Sequence, residues 1–174
     1  TVTAELDRVE AEILSLVGDY VFATGNEEME DVVGRLLAEK GKTISVAESC
    51  TGGLIGHRLT NVPGSSGYFC GGVISYSNQS KVNILGVDAE TINKYGAVSD
   101  ETAREMARGI RALTKSDLGL AVTGIAGPDG GSRDKPVGTV YMGLSSAGEV
   151  FSRRYGFRGK RKHIKLNTSM MTLD

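Results

Sequence analysis

The stretch "TISVAESCTGGLIGHRLT", residues 43–60, joins a β-branched apolar run to a glycine turn and a second apolar segment. The run "TISVAE" is typical of a short buried strand. The Gly-Gly pair after it permits a tight turn, and "GGLIGHRLT" can then form a helix. The stretch therefore predicts a strand–turn–helix unit, which is the repeating element of α/β proteins.

The same alternation continues along the chain. Two further strands are predicted at "YFCGGVISYS" (68–77) and "LGLAVTG" (118–124), and "TVYMGLSSAGEVFSRRYGF" (139–157) predicts a hairpin that turns at Ala147 and Gly148. Helices are predicted between the strands and at both ends of the chain, with four residues as candidate N-caps: Asn26, Asn78, Asp88 and Ser99. This order predicts a three-layer α/β/α sandwich with a mixed, mostly parallel sheet.

Length and composition limit the possible classes of protein. The 174 residues, 40% of them hydrophobic, suffice for one domain with one core. No apolar stretch approaches the roughly 20 residues of a membrane span, and the N-terminal segment is acidic, so we expect a cytoplasmic protein without a membrane partner. Cys50 and Cys70 have no metal-site spacing, so we expect reduced thiols and no metal.

Charge is distributed unevenly along the chain. Residues 1–48 carry 11 acidic and 4 basic side chains, whereas residues 150–174 carry 7 basic side chains and one acidic residue, Asp174. The basic tail could bind an anion or could form the solvated face of a helix, and the second interpretation is favoured. No nucleic-acid-binding motif accompanies it, so no nucleic acid partner is expected.

Three unusual loops follow the three parallel strands: "ESCTGG", "YSNQSK" and "TGIAGPDGG". In an open α/β sheet, ligands bind at the carboxyl ends of the strands. These loops are therefore expected to meet and form the functional site.

Ser49 is the first candidate nucleophile, although it could equally be a capping serine. The backbone amides of Thr51, Gly52 and Gly53 follow it at a helix N-terminus and could stabilise an oxyanion or bind a phosphate. Neither histidine suits it as a base: His57 lies too far along the helix, and His163 lies in the basic tail. A histidine triad is therefore not expected.

Lysine is the alternative base for a serine. Lys81, in a helix that follows the second strand, could reach Ser49 if the strands are neighbours and if burial lowers its pKa. Tyr76 could relay a proton; alternatively, Lys81 is a surface charge and Tyr76 a packing residue. Cys50 is a rival nucleophile, but adjacent side chains of a strand point to opposite faces, so Ser49 and Cys50 are not both expected to face the site.

Five motifs together carry a resemblance to a known family. They are "AESCTGG" (47–53), "VPGSSGYF" (62–69), "GGVISYSNQSK" (71–81), "YGAVSDET" (95–102) and "VTGIAGPDGGSRDKPVGTVYMG" (122–143). Residues 30–165 strongly resemble the C-terminal domain of the CinA (competence/damage-inducible) family, the nicotinamide-nucleotide amidases.

The resemblance implies hydrolysis of nicotinamide mononucleotide to nicotinic acid mononucleotide and ammonia in pyridine-nucleotide recycling, without a metal or organic cofactor. It implies that Ser49 is the nucleophile and Lys81 the base, with Tyr76 assisting. Thr51 and Gly52 are then the expected oxyanion donors. We further expect substrate contacts from the remaining loop residues: Gly53, Ser65, Ser66, Asn78, Thr123, Gly124, Ile125, Ala126, Gly127, Gly130 and Arg133.

The resemblance also predicts how the chain is organised. Residues 1–30 are expected to be a connector from a preceding region, and residues 31–174 the amidase domain, with a last helix that continues beyond Asp174. The expected partners are other modules of a longer chain and further copies of the protein. Two alternatives stay open: a noncatalytic module that binds a pyridine nucleotide or a protein, and a cysteine amidase that uses Cys50.

Overall fold

The computed structural model describes residues 2–174. The helices are α1 (Val2–Val17), α2 (Met29–Glu39), α3 (Leu54–Asn61), α4 (Asn78–Leu85), α5 (Ala89–Tyr95), α6 (Asp100–Thr114) and α7 (Arg161–Leu173), with short 3-10 helices at Gly18–Tyr20 and Ser65–Gly67. The strands are β1 (Ile44–Glu48), β2 (Phe69–Ile74), β3 (Leu118–Gly124), β4 (Thr139–Ser145) and β5 (Val150–Gly156). None of the helices within residues 2–174 combines the length and apolar composition needed to cross a membrane.

The five strands form one mixed sheet in the order β2-β1-β3-β4-β5. β1 pairs in parallel with β2 on one side and β3 on the other, whereas β4 runs antiparallel to both β3 and β5. Four of the five strands therefore point in one direction, which confirms the predicted mixed, mostly parallel sheet. The carboxyl ends of β1, β2 and β3 lie side by side, because Glu48 is in register with Ile74 and Val122.

Alternating side chains of the central strands divide the core between the two faces of the sheet. Ile44 and Val46 belong to one cluster, with residues from α2, α3 and α7, and Ala47 belongs to the other, with residues from α4, α5 and α6. This period-two alternation buries both faces and confirms the three-layer sandwich. Helix α1 contributes no buried residue.

The helix starts show where local sequence analysis succeeded. Asp88 and Ser99 are the N-caps of α5 and α6, as predicted, and each side chain accepts a hydrogen bond from the first turn of its helix. Two other predicted caps were wrong: α2 starts after Glu28 instead of Asn26, and α4 after Ser77 instead of Asn78. In α4 the hydroxyl of Ser77 accepts a hydrogen bond of 3.0 Å from the Ser80 amide. This cap fixes the helix turn that carries Lys81.

Candidate active site

A pocket of about 210 Å³ lies at the carboxyl ends of β1, β2 and β3. Its lining residues come from five separate parts of the chain: Ser49, Cys50, Tyr76, Asn78, Lys81, Ala97, Val98, Thr123, Gly124, Ala126 and Arg161. The three loops expected to converge therefore do so. Seven of the lining residues belong to the predicted site: Ser49, Tyr76, Asn78, Lys81, Thr123, Gly124 and Ala126.

A larger groove, about 320 Å³, lies elsewhere, between the sheet and the end of α7. It is lined mainly by apolar side chains, including Leu120, Met142, Phe151 and Met171. The smaller pocket contains a hydroxyl, a thiol and an amine beside one another, and the groove contains no such set. Chemistry, and not volume, therefore identifies the candidate active site.

Ser49 is the residue immediately after β1. Its amide donates a hydrogen bond of 3.0 Å to the carbonyl of Val122, which extends the pairing with β3 by one residue. Its side chain is 8% exposed, and its Oγ lies 3.1 Å from Nζ of Lys81. The hydroxyl of Ser49 thus lies in the pocket, within hydrogen-bonding distance of an amine.

Lys81 is only 1% exposed. Its Nζ donates hydrogen bonds to the carbonyl of Ser75 at 2.8 Å and, more weakly, to that of Tyr76 at 3.5 Å, besides its contact with Ser49. No carboxylate lines the pocket. Burial lowers the pKa of Lys81 below the ordinary value of 10.5, and the opposing effect of Cys50 is smaller.

The contacts of Lys81 are compatible with its neutral form as well as with its protonated form. In a neutral amine, the two N–H groups can donate hydrogen bonds to the carbonyls of Ser75 and Tyr76. The remaining lone pair can then accept a hydrogen bond from the hydroxyl of Ser49. The lowered pKa favours that form. The geometry therefore allows Lys81 to act as a base toward Ser49.

Glu48, the last residue of β1, binds the backbone of the turn that follows the strand. Its carboxylate accepts hydrogen bonds from the amides of Gly53 at 2.9 Å, Ile55 at 3.2 Å and Gly56 at 2.8 Å. These are donors that the N-terminus of α3 leaves without helical partners. The amide of Gly53 is therefore occupied, which corrects its assignment as a substrate contact.

The turn before α3 requires its two glycines. Gly52 has φ +65° and Gly53 has φ +98°, in the left-handed region where a side chain is strained. Neither the Thr51 amide nor the Gly52 amide makes a hydrogen bond to an acceptor within residues 2–174. The buried Oγ1 of Thr51 also has no partner in that part of the chain. These two amides, unlike that of Gly53, remain available to a ligand.

Cys50 lines the same pocket as Ser49, which corrects the expectation that the two could not face one site. The chain leaves the strand at Glu48, so the alternation of a strand no longer applies to the next two residues. Burial raises the pKa of the Cys50 thiol to about 12. A helix N-terminus can lower the pKa of a thiol, but burial has the larger effect here, and the thiol is poorly suited to nucleophilic attack.

The pocket is lined by the end of β3, at Thr123 and Gly124, and by Ala126 in the loop that follows. The hydroxyl of Thr123 donates a hydrogen bond of 2.7 Å to the carbonyl of Ala97, so it supports the pocket wall. The amide of Ile125 donates to Thr139, so that amide is engaged within the loop. Gly130 and Arg133 are exposed and do not line the pocket.

Ser65 and Ser66 lie at the wrong end of the sheet. They precede β2, whose first residue, Phe69, pairs with Ile44 at the start of β1, whereas the pocket lies beyond Glu48. The expectation that they contact a substrate held at Ser49 is corrected. Ser65 and Ser66 are close to β2 in sequence, but this closeness did not indicate which end of β2 faces the site.

Helix α7 supplies the part of the site that the sequence analysis missed. Arg161 donates hydrogen bonds to the carbonyl of Gly127 at 2.8 Å and to the hydroxyl of Tyr76 at 2.7 Å. Nζ of Lys165 lies 3.5 Å from the position that a Cβ on Gly52 would occupy. Arg161 is exposed and Lys165 is half-buried, so the basic segment is mostly solvated, as interpreted, but Arg161 also lines the pocket. The uneven charge of the C-terminal segment was the one available signal.

Comparisons with known proteins find relatives over most of the chain. Residues 26–174 match the model of the CinA C-terminal domain. A competence-damage inducible protein of Desulforudis audaxviator is 55% identical over 169 residues, which are 95% of this chain and 41% of that protein. A CinA-like protein of Geotalea uraniireducens is 49% identical and covers 97% of this chain and 42% of its own length. The chain thus spans about two-fifths of the length of these relatives.

Solved structures have the same fold. A CinA superfamily protein of Klebsiella pneumoniae superimposes with a TM-score of 0.81 at 32% identity, over 83% of this chain and 91% of that one. The competence/damage inducible protein CihA of Agrobacterium tumefaciens gives a TM-score of 0.79 at 37% identity, over 87% and 95% of the two chains. Both the sequence and the architecture are therefore shared over most of the domain.

Proposed function

The chain belongs to the CinA family, and on that premise we propose that it hydrolyses the carboxamide of nicotinamide mononucleotide. The products are nicotinic acid mononucleotide and ammonia. The observation that carries the proposal is the 3.1 Å contact between Ser49 Oγ and Lys81 Nζ, in a pocket without an acidic residue. A serine hydroxyl beside a neutral amine is suited to acyl transfer, the reaction class of amide hydrolysis.

In the proposed acylation step, the neutral amine of Lys81 accepts the proton of Ser49 while Ser49 Oγ attacks the carboxamide carbon. The C=O π electrons move onto oxygen, and the amides of Thr51 and Gly52 stabilise the resulting oxyanion. When the tetrahedral intermediate collapses, the C–N bond breaks and protonated Lys81 gives its proton to the departing nitrogen. Ammonia leaves, and the nicotinoyl group remains on Ser49 as an ester. Oxyanion donors of this kind typically contribute about 10²–10³-fold to the rate.

Deacylation repeats the same proton transfers with water. Lys81 accepts a proton from the water that attacks the ester carbon, and then returns it to Ser49 Oγ as the C–O bond breaks. Nicotinic acid mononucleotide leaves, and the hydroxyl and the neutral amine are regenerated. Tyr76 is proposed to assist by holding Arg161 at the pocket, since its hydroxyl accepts the guanidinium hydrogen bond.

The energetics of Lys81 support catalysis over a purely binding role. A buried amine without an opposite charge is costly for a folded protein. Methionine or leucine would fill a similar volume without that cost. The Lys81 amine nevertheless lies buried next to a hydroxyl in a pocket, and its pKa is lowered. This combination is characteristic of an active site.

The direct test is ammonia release from nicotinamide mononucleotide by the wild type, Ser49→Ala and Cys50→Ala. We expect Ser49→Ala to lose at least about 10³-fold in kcat/KM, because the nucleophile is gone. Cys50→Ala should retain activity, and Cys70→Ala, which removes the exposed free thiol, is its matched control. If Cys50→Ala lost activity while Ser49→Ala and Cys70→Ala retained it, the protein would instead be a cysteine amidase. No ammonia from folded wild type would overturn the amidase proposal for this chain.

A further inference from the structure

The short segment between α5 and α6, residues 95–98, forms one wall of the pocket. Two of its residues, Ala97 and Val98, line the pocket together with Ser49 and Lys81. Ala97 also packs against the hydrophobic cluster of α5 and α6. Val98 is half-buried, yet it belongs to neither of the two hydrophobic clusters formed within residues 2–174. Val98 therefore offers an apolar surface to a ligand that occupies the pocket.

Hydrogen bonds from buried side chains hold this wall in place. The carbonyl of Ala97 accepts the 2.7 Å hydrogen bond from the hydroxyl of Thr123, at the end of β3. The carbonyl of Gly96 accepts hydrogen bonds of 2.9 Å from the hydroxyls of both Ser99 and Thr102, at the start of α6. The three residues that donate these bonds are all buried. Because buried hydrogen bonds are costly to break, the wall resists displacement by a larger ligand.

The apolar part of the pocket lining consists of small side chains. They belong to Cys50, Ala97, Val98 and Ala126. Burial keeps the thiol of Cys50 uncharged, with its pKa raised to about 12. Small uncharged side chains leave room for a flat ring, and they limit its size by contact rather than by hydrogen bonding. In nicotinamide the carboxamide carbon is bonded directly to the ring, so attack by Ser49 requires the ring to lie within the pocket.

We propose that Val98 is a specificity-determining residue, which contacts the edge of the pyridine ring and excludes rings with added substituents. The inference rests on the proposed function and deepens it, because it names the residue that limits which carboxamides reach Ser49. The wall of residues 95–98 is held in place, so an enlarged ring meets Val98 instead of displacing it. One methyl group in an apolar pocket typically changes selectivity by about 10- to 200-fold.

The test combines enlarged ligands with an enlarged pocket, in a Ser49→Ala background where turnover does not consume the ligand. Isothermal titration calorimetry gives Kd for nicotinamide mononucleotide and for analogues with one added methyl group, one analogue for each C–H carbon of the pyridine ring. Val98→Ala shortens the side chain at the wall, and Val98→Thr preserves its shape. Val150→Ala, at a half-buried valine of β5, is the matched control. Ammonia release by the protein with Ser49 intact is measured separately.

We expect at least one methyl analogue to bind about tenfold or more weakly than the parent mononucleotide when Val98 is present. Val98→Ala should remove most of that penalty, whereas Val98→Thr and Val150→Ala should preserve it. An unchanged penalty in Val98→Ala, an equal loss in Val150→Ala, equal affinities for all the ligands, or no binding of the parent would overturn the inference.

The separate activity measurement distinguishes this inference from the proposed function. A penalty that depends on Val98, without ammonia release from the folded wild type, would support the ring site and refute the amidase. Ammonia release together with a penalty unchanged in Val98→Ala would support the amidase and refute the role of Val98.

Discussion

Glu48 and Lys81 are two buried charged side chains that flank Ser49, and their surroundings differ completely. Glu48, 2% exposed, has three backbone amides of α3 as hydrogen-bond donors. Lys81 has two backbone carbonyls and one hydroxyl, and no acidic side chain lines its pocket. A buried charge with a full set of partners stabilises the fold, whereas one without a counter-ion is poised to lose its proton.

The difference follows from where each residue lies in the fold. Glu48 ends β1 just before a helix begins, and the positive end of that helix supplies donors to a carboxylate. Lys81 lies in the first turn of α4 and reaches back to the strand ends, where carbonyls are the available partners. Substitutions at Lys81 and at Glu48 are therefore expected to have separate effects, the first on activity and the second on stability.

The largest expected effect is that of Lys81→Met on turnover. Removal of the base should lower kcat/KM for nicotinamide mononucleotide by about 10³-fold, within the usual range for general-base catalysis. Ammonia release measures the loss, and Lys94→Met, at an exposed lysine of α5, is the matched control. Activity within a few-fold of wild type would remove Lys81 from the mechanism.

The same variant should not lose stability at neutral pH. The pKa of Lys81 is lower in the folded than in the unfolded chain. At pH values between these two pKa values, the unfolded chain binds more protons than the folded chain. The free energy of unfolding of the wild type therefore rises with pH in that range. Lys81→Met should lack that component of the rise. Urea titrations at several pH values test this, and identical pH dependence in the two proteins would contradict it.

Glu48→Gln is expected to have the opposite profile, with its main effect on stability. The amide nitrogen of glutamine cannot accept a hydrogen bond, so at least one of the three amides loses its partner, at a cost of about 1–3 kcal/mol. Urea unfolding measures the change, with Glu149→Gln in the hairpin turn as an exposed control. A stability equal to wild type combined with abolished turnover would show that Glu48 acts in the chemistry.

The smallest effect is expected for Tyr76→Phe. The side chain lies on the Lys81 side of the pocket, but it is 59% exposed, and its hydroxyl is bound to Arg161. Loss of this exposed hydrogen bond should lower kcat/KM less than about tenfold. A loss comparable with that of Lys81→Met would mean that the Tyr76 hydroxyl transfers the proton itself.

The sequence was sufficient to predict which elements meet at the pocket. The strand–turn–helix pattern around Ser49 and the neighbouring strand before Lys81 place both residues at carboxyl ends of parallel strands, and the rule for α/β sheets then brings them together. The place of Thr123 and Gly124, the last residues of β3, followed from the same rule. These predictions depend only on local pattern and strand order.

Contacts that depend on distant packing could not be predicted in this way. Arg161 reaches the pocket, and Lys165 reaches Gly52, because α7 packs beside α3, about 100 residues away in sequence. The assignment of Ser65 and Ser66 failed because a loop that leads into a strand and a loop that follows one look alike in sequence. The two kinds of loop nevertheless lie at opposite ends of the strand. The role of Glu48 could not be predicted from the sequence, because a carboxylate beside a helix start can bind either the backbone or a ligand.

The most direct test of the account is a ¹⁵N NMR titration of the Lys81 amine in the wild-type protein, assigned by its absence in Lys81→Met. The account predicts that Lys81 titrates clearly below the ordinary lysine pKa of 10.5, whereas the pKa of exposed Lys94, beside Tyr95, is raised. A midpoint for Lys81 at or above 10.5 would leave the amine protonated at neutral pH and would contradict its role as the base for Ser49.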